Sequence, residues 1–138
     1  MRELHPRHFA FVVACVGLAC DSPTKPIMGC MGEVPIEISS PRETTLGLRF
    51  GWSPACGIST LTVSTVPAPG ASAVQVWSLT APEQTPIGPS ITYGVTPRGA
   101  TSLHPAAPLV HGVTYRVSVA YVVGGDGVAG RGDEIFTY

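Results

Sequence analysis

The segment Val113–Val123 reads VTYRVSVAYVV, and it decides the fold class of the chain. Large apolar side chains occupy every second position, and mostly smaller or polar residues stand between them. An alternation with a period of two residues is typical of a β-strand that buries one face. The next four residues, GGDG at 124–127, tolerate a positive φ and favour a tight turn. The segment therefore predicts a long strand that leads into a hairpin.

The same alternation recurs in six further short segments between residue 33 and the last residue. They are Val34–Ile38, Thr45–Trp52, Leu61–Val63, Val74–Trp77, Ile91–Val95 and Ile135–Tyr138. Proline and glycine separate them, and no segment has the period of an amphipathic helix. Pro35 predicts that the first is an edge strand. Together the seven segments predict an all-β domain over residues 33–138, a seven-stranded antiparallel sandwich.

The second segment indicates where the core lies. Its apolar positions, Leu46, Leu48, Phe50 and Trp52, alternate without a break with Thr, Gly and Arg. Successive side chains of a strand point to opposite faces, so these four groups are expected on one face. Phe50 and Trp52 are therefore predicted core residues.

Residues 109–119, LVHGVTYRVSV, resemble the tyrosine corner of fibronectin type III domains. In that family a Leu, a Gly and a Tyr, here Leu109, Gly112 and Tyr115, precede the alternating valines of the sixth strand. The resemblance implies that Tyr115 bonds a main-chain group of the preceding turn, and that Trp52 is the family's core tryptophan. It covers residues 33–138 and implies an immunoglobulin-like sandwich, although Trp77 has no clear counterpart. Because this architecture hosts many activities, no particular function follows from it.

The first twenty residues have the pattern of a secretory signal. Arg2 and Arg7 precede an apolar run at 9–19, which is too short to span a bilayer, since that needs roughly 20 residues. The small Ala19 stands immediately before Cys20, and this resembles a bacterial lipoprotein signal. The resemblance implies cleavage after residue 19, lipidation of Cys20 and a membrane-anchored place in the bacterial cell envelope. An ordinary secretory signal cut near Ala19 and a buried core helix are the alternatives.

The chain is thus predicted to have three parts. A lipoprotein signal peptide at 1–19 is followed by a lipidated, flexible tether at 20–32, rich in Pro and Gly, and by the β-domain at 33–138. An exported protein meets an oxidising compartment, where disulfides persist. Cys30 and Cys56 are therefore predicted to form a disulfide, with two buried free thiols as the alternative.

The charge of the chain argues against nucleic acid as a partner. Only 12% of the residues are charged, against about 25% in an average domain. Without residues 1–19 the chain keeps six basic and eight acidic residues, a net charge of −2. No basic patch is visible, and binding of nucleic acid needs one. We also expect no cofactor and no bound metal.

The candidate catalytic and metal-binding residues form no complete set. His104 and His111 have no pattern of ligands nearby, and no Gly-x-Ser-x-Gly elbow accompanies the serines. Both histidines are therefore expected in solvated loops. Asp126, Asp133 and Glu134 would form a calcium site only if the last hairpin gathered them, and otherwise they are surface charges.

Two further motifs bear on ligand binding. Residues 131–133 spell the integrin-binding tripeptide Arg-Gly-Asp near the predicted last hairpin, but so short a string arises readily by chance. Tyr121 and Tyr138 are candidates for stacking on a sugar or peptide, with packing against a neighbouring strand as the alternative.

The predicted function is that of a non-enzymatic envelope lipoprotein. Its single β-domain would bind another envelope protein or a polysaccharide, through its loops or by addition of a strand at a sheet edge. One alternative is an accessory subunit, or spacer, of an envelope enzyme or transport complex. Another is a small hydrolase, which would require His104 or His111 beside an acid and a nucleophile. Oligomeric state does not follow from the sequence.

Overall fold

The computed structural model describes residues 27–30, 35–124 and 127–138, which form two antiparallel sheets. The predicted signal peptide at 1–19, the lipidated Cys20 and most of the predicted tether lie outside the described residues. No helix long and apolar enough to cross a membrane is found among the described residues. The strands are β1 Glu37–Thr44, β2 Gly47–Ser53, β3 Thr60–Thr65, β4 Gln75–Thr80, β5 Ile91–Thr92, β6 Thr101–His104, β7 Thr114–Val123 and β8 Gly127–Thr137.

The strands divide into a sheet of three and a sheet of five. The first has the order β1-β2-β5 and the second the order β6-β4-β3-β7-β8, and every neighbouring pair is antiparallel. β7 pairs with β3 on one side and with β8 on the other. The β7–β8 hairpin is the longest, running from Thr114 opposite Thr137 to Val123 opposite Gly127.

Both sheets bury their apolar faces in one core. Phe50, Leu61, Val63 and Val117 are completely buried, and they come from β2, β3 and β7. The rings of Phe50 and Phe136 on β8 meet edge to face, with their centroids 5.6 Å apart. The alternation seen in the sequence is therefore the alternation of core and surface.

The described residues form eight strands, one more than predicted. The additional strand, β6, forms the edge of the five-stranded sheet beyond β4. All four of its side chains are exposed, so it has no apolar alternation by which a sequence reading could detect it. It exists because its backbone pairs with β4, as in Ser78 opposite His104.

Leu46 is not on the buried face of β2, contrary to the prediction. It lies in the two-residue turn between β1 and β2, since Thr44 pairs with Gly47, and it is 81% exposed. The Thr44 hydroxyl donates to the Gly47 carbonyl at 2.7 Å and accepts from the Leu46 amide at 3.2 Å. These local bonds close the turn and take Leu46 out of the strand.

β1 begins three residues later than predicted and continues six residues further, because a bulge accommodates a proline. The pairing with β2 shifts register between Ser39 and Arg42, and Pro41 lies inside this shift. A proline, which has no amide hydrogen to donate, is tolerated at such a bulge and on an edge strand. Before β1 begins, the Ile36 amide donates to the Arg131 carbonyl of β8 at 3.0 Å. The beginning of β1 therefore joins the edges of the two sheets.

Residues 27–30, within the range predicted as tether, lie against the domain. Gly29 forms a parallel bridge with Gly57, and the Cys30 amide donates to the Gly57 carbonyl at 2.9 Å. The predicted disulfide between Cys30 and Cys56 is present. Gly29 approaches Tyr121 so closely that an added Cβ would overlap its ring. This segment is thus held by covalent, backbone and packing contacts.

Trp77, which the sequence left unassigned, is 1% exposed and packs edge to face on Tyr93, with ring centroids 5.0 Å apart. The Tyr93 hydroxyl donates to the Ala107 carbonyl at 2.6 Å and lies 3.3 Å from the Val76 carbonyl. Burial, and secondarily the neighbouring Tyr115, raises the pKa of Tyr93 to about 12. The folded domain therefore disfavours the ionised form of Tyr93.

This raised pKa predicts a loss of stability at alkaline pH. An unfolded tyrosine has a pKa of about 10, so above that pH the unfolded chain releases the Tyr93 proton before the folded chain does. The stabilising contribution is complete below about pH 10 and is lost as pH rises towards about 12. Tyr93→Phe should cost about 1 kcal/mol at neutral pH and should flatten this alkaline decline. Urea unfolding of the parent and of Tyr93→Phe, from neutral pH to about pH 12, measures both effects. If the free energy of unfolding fell equally steeply with alkaline pH in the two proteins, the raised pKa of Tyr93 would be contradicted.

Candidate functional site

Tyr115 organises the turn that precedes β7. Its ring is 2% exposed, and its hydroxyl accepts a hydrogen bond from the Val110 amide at 2.9 Å. The Val113 amide donates to the Val110 carbonyl at 3.2 Å and closes the turn, while Gly112 has a φ of +79°. A positive φ at the third residue is that of a type II turn and favours glycine. Leu109, just before the turn, packs half-buried against the core.

This turn presents His111 to the end of β8. The His111 imidazole stacks on the Tyr138 ring with centroids 4.6 Å apart and planes within 9°. The Gly112 amide donates to the Tyr138 carbonyl at 2.6 Å, and the Tyr138 amide donates to the Val113 carbonyl at 3.1 Å. Because backbone bonds join Tyr138 to the two residues that follow His111, the two rings form a preorganised pair.

A groove of about 300 Å³ lies beside the ring pair. His111, Phe136 and Tyr138 contribute its aromatic side, and Glu43 and Leu48, from the β1–β2 hairpin, line it together with Pro41 and Thr137. We call this surface the terminal groove. Glu43 is exposed and has no ion pair with a described residue. The groove therefore combines aromatic rings with a free carboxylate acceptor.

Phe136 connects the terminal groove to the core. Its ring stacks on Tyr115, with centroids 5.7 Å apart and planes 28° apart, and it also meets the Phe50 ring edge to face. Each aromatic pair of this kind contributes about 0.5–1.5 kcal/mol to stability, in addition to the contribution from burying its apolar area. The aromatic side of the groove is therefore packed against the core through Phe136.

The terminal groove and residues 27–30 lie at opposite ends of β7. Tyr115 contacts the groove's Phe136, whereas Tyr121 contacts Gly29. Tyr121 follows Tyr115 by six positions along the strand, a distance of about 20 Å at 3.3 Å per residue. The amino-terminal segment thus joins the domain at the end that is remote from the groove.

The two candidate exposed aromatic residues have different environments. Tyr121 is 4% exposed and belongs to the core, whereas Tyr138 lines the terminal groove. The sequence analysis did not identify Glu43 or Phe136 as groove residues. The alternation of Phe136 with Ile135 and Thr137 reveals a strand, but the meeting of β8 with the β1–β2 hairpin depends on tertiary packing.

The remaining sequence candidates are dispersed. His104 lies exposed at the end of β6, and Asp133 and Glu134 are successive residues of β8, which point to opposite faces. Asp126 lies outside the described residues. In the part of the chain that the structure describes, no group of three or more His, Cys, Asp or Glu side chains could hold a metal ion.

The Arg-Gly-Asp tripeptide lies inside β8. Arg131 and Asp133 are exposed, and Asp133 pairs with Arg116 at 3.9 Å. Gly132 faces Ile36, and a Cβ added there would lie 1.8 Å from the Ile36 carbonyl oxygen. The glycine is therefore accounted for by the close approach of β1 and β8.

Tyr115→Phe should destabilise the domain by about 1 kcal/mol, because the Val110 amide loses its acceptor. It should also loosen the turn and move the His111 ring resonances in an NMR spectrum. Tyr121→Phe is the matched control, since the Tyr121 hydroxyl makes no hydrogen bond with a described residue. Urea unfolding and the His111 resonances measure the two effects. Equal behaviour of the two variants would contradict the role given to the Tyr115 hydroxyl.

The terminal groove is suited to non-covalent binding of a small polar ring, because aromatic faces and one carboxylate converge on a shallow space. Comparisons of the chain with protein-family models, curated proteins and solved structures find no match.

Proposed function

We propose that the chain is an envelope lipoprotein whose β-domain binds a polysaccharide in the terminal groove. The observation that carries this proposal is the convergence of the His111–Tyr138 pair, Phe136 and Glu43 on one groove. The same domain would be of the immunoglobulin or fibronectin type III-like kind, and Cys20 would carry the lipid.

The chemistry of the groove matches that of a sugar unit. A pyranose ring has an apolar C–H face that packs on an aromatic ring, and hydroxyls around its rim that need acceptors. Glu43 would accept from these hydroxyls with the added strength of a charged acceptor, and the rings would cover the apolar face. A volume of about 300 Å³ lies at the lower end of ligand sites and fits one unit of a polymer. Because the groove is open, the rest of the polymer would continue into solvent.

The strand order supports the proposed family of folds. Without the edge strand β6, the two sheets have the orders β1-β2-β5 and β4-β3-β7-β8. They then contain three and four strands, seven in all. Tyr115 then lies at the start of the sixth of these seven strands, where the resemblance expects the tyrosine corner.

The position of the amino-terminal segment supports anchoring. Cys20 precedes Ile27 by seven residues, which extend over at most about 25 Å. An anchor at Cys20 would hold the end of the domain near Gly29 towards the membrane. The terminal groove, at the opposite end of β7, would then face away from the lipid and towards a polymer.

Lipidation is tested by labelling. In a Gram-negative host fed a labelled fatty acid, the full chain should incorporate label and Cys20→Ala should not. Cys15→Ala, which removes the other cysteine of the leader region, should keep the label and is the matched control. An unlabelled parent whose purified product begins near Asp21 would overturn the lipoprotein assignment.

Polysaccharide binding is tested by retardation of the full chain in gels that contain envelope polysaccharide. Tyr138→Ala and His111→Ala should each weaken binding severalfold, since each removes one ring of the pair. Glu43→Gln should weaken it too, because a neutral amide is a poorer acceptor than a carboxylate. His104→Ala, at an exposed histidine outside the groove, should bind like the parent. If the three groove variants bound polysaccharide as strongly as His104→Ala and the parent, the assignment of polysaccharide binding to the terminal groove would be overturned.

A further inference from the structure

The outer face of the three-stranded sheet places two arginines directly opposite each other. Arg42 on β1 and Arg49 on β2 are register partners, and both are exposed. Side chains at such positions have Cβ atoms about 4.5–5.5 Å apart, and like charges there destabilise a sheet. A pair of this kind therefore costs stability unless an anion lies between the two guanidinium groups.

No such anion comes from the described part of the chain. Neither arginine has a carboxylate within 4.0 Å among the described residues, whereas Arg116, on the other sheet, pairs with Asp133 at 3.9 Å. Glu43 follows Arg42 directly but lines the terminal groove. The two positive charges thus share one surface without a compensating side chain.

The two arginines border a depression of about 440 Å³ that is lined by hydroxyl groups. These groups belong to Ser39, Ser40, Thr44 and Ser90. Gly51 also lines it, and a Cβ added there would meet no atom within 4 Å. The depression is therefore open space bordered by two guanidinium groups and by the hydroxyls of Ser39, Ser40 and Ser90, since the Thr44 hydroxyl already donates to Gly47.

One side of the depression has a strained backbone. Ser90 is the described non-glycine residue with a positive φ, at +87°, and its hydroxyl accepts a hydrogen bond from Arg49 Nε. A left-handed conformation is costly for a serine, and such strain tends to occur where a side chain is held for a function. This hydrogen bond orients the Arg49 guanidinium. The two terminal nitrogens of Arg49 make no hydrogen bond with a described residue.

We propose that this depression binds a phosphate monoester group. A phosphate dianion would neutralise both guanidinium groups and accept from the serine hydroxyls on its remaining oxygens. A carboxylate carries one negative charge and two oxygens, so it would satisfy only part of the donor set. The site is separate from the terminal groove and depends neither on polysaccharide binding nor on lipidation.

The first probe is inorganic phosphate, titrated into the isotope-labelled full chain at low ionic strength. The amide resonances of Gly51 and Ser90 should shift and saturate. Arg42→Ala and Arg49→Ala should each weaken binding about tenfold or more, because each removes charge-assisted hydrogen bonds. Arg131→Ala, which removes the same charge from the other sheet, should bind like the parent. No saturable shift in the parent, or equal weakening by Arg131→Ala, would overturn the proposal.

Thermal unfolding gives an independent measurement. Phosphate should raise the unfolding temperature of the parent, because a ligand that binds only the folded state stabilises it, and should raise that of Arg42→Ala and Arg49→Ala much less. Without phosphate Arg42→Ala should be at least as stable as the parent, since the repulsion is relieved, whereas Arg49→Ala also loses its hydrogen bond to Ser90. Acetate at the same ionic strength should have no effect. Equal stabilisation by acetate, or equal stabilisation of the parent and either variant by phosphate, would overturn the proposal.

The source of the phosphate is distinguished by two further probes. A soluble sugar phosphate tests a phosphorylated saccharide, and vesicles that contain phosphatidic acid, compared with phosphatidylcholine alone, test a lipid headgroup. Arginine-dependent binding of either probe supports the site and identifies the source. Failure of both probes and of inorganic phosphate would overturn it.

Discussion

The pairing of β7 with both of its neighbours is the constraint on which the rest of the structure depends. β7 bonds to β3 from Tyr115 to Ala120 and to β8 along its whole length, and its inward residues are the centre of the core. A shift of one residue would move Val117 and Val119 to the surface and Arg116 to the interior. One register therefore determines the core, the turn at its start and the contact with Gly29 at its end.

Sequence reasoning succeeded where one strand face is buried and failed where the backbone alone makes the strand. Val113–Val123 alternates because the core selects its residues, and the strand lies there as predicted. β6 has four exposed side chains, so no alternation of apolar residues in the sequence predicts this strand. Leu46 is the opposite case, an apolar residue that fits the alternation of β2 but lies outside the strand. The hydrogen bonds of the Thr44 hydroxyl close a turn at this residue.

The terminal groove was beyond prediction for a different reason. Tyr138 and His111 were each visible as candidates, yet their stacking depends on a turn shaped by Gly112 and on the bond of Tyr115 to Val110. Glu43 reaches the same place from a hairpin some seventy residues earlier in the chain. Local periodicity predicts strands, whereas the groove arises where the ends of separate strands meet.

The low charge content of the chain makes each uncompensated charge informative. On a surface rich in charged residues, two neighbouring arginines would have carboxylates within reach, and their proximity would not indicate an anion-binding site. Here only 12% of the residues are charged, and the outer face around Arg42 and Arg49 offers hydroxyls instead. Hydroxyls donate to an anion but cannot neutralise a guanidinium group. The sheet therefore tolerates a repulsion that a single acidic residue would relieve, and this is the arrangement expected where the compensating charge comes from a ligand.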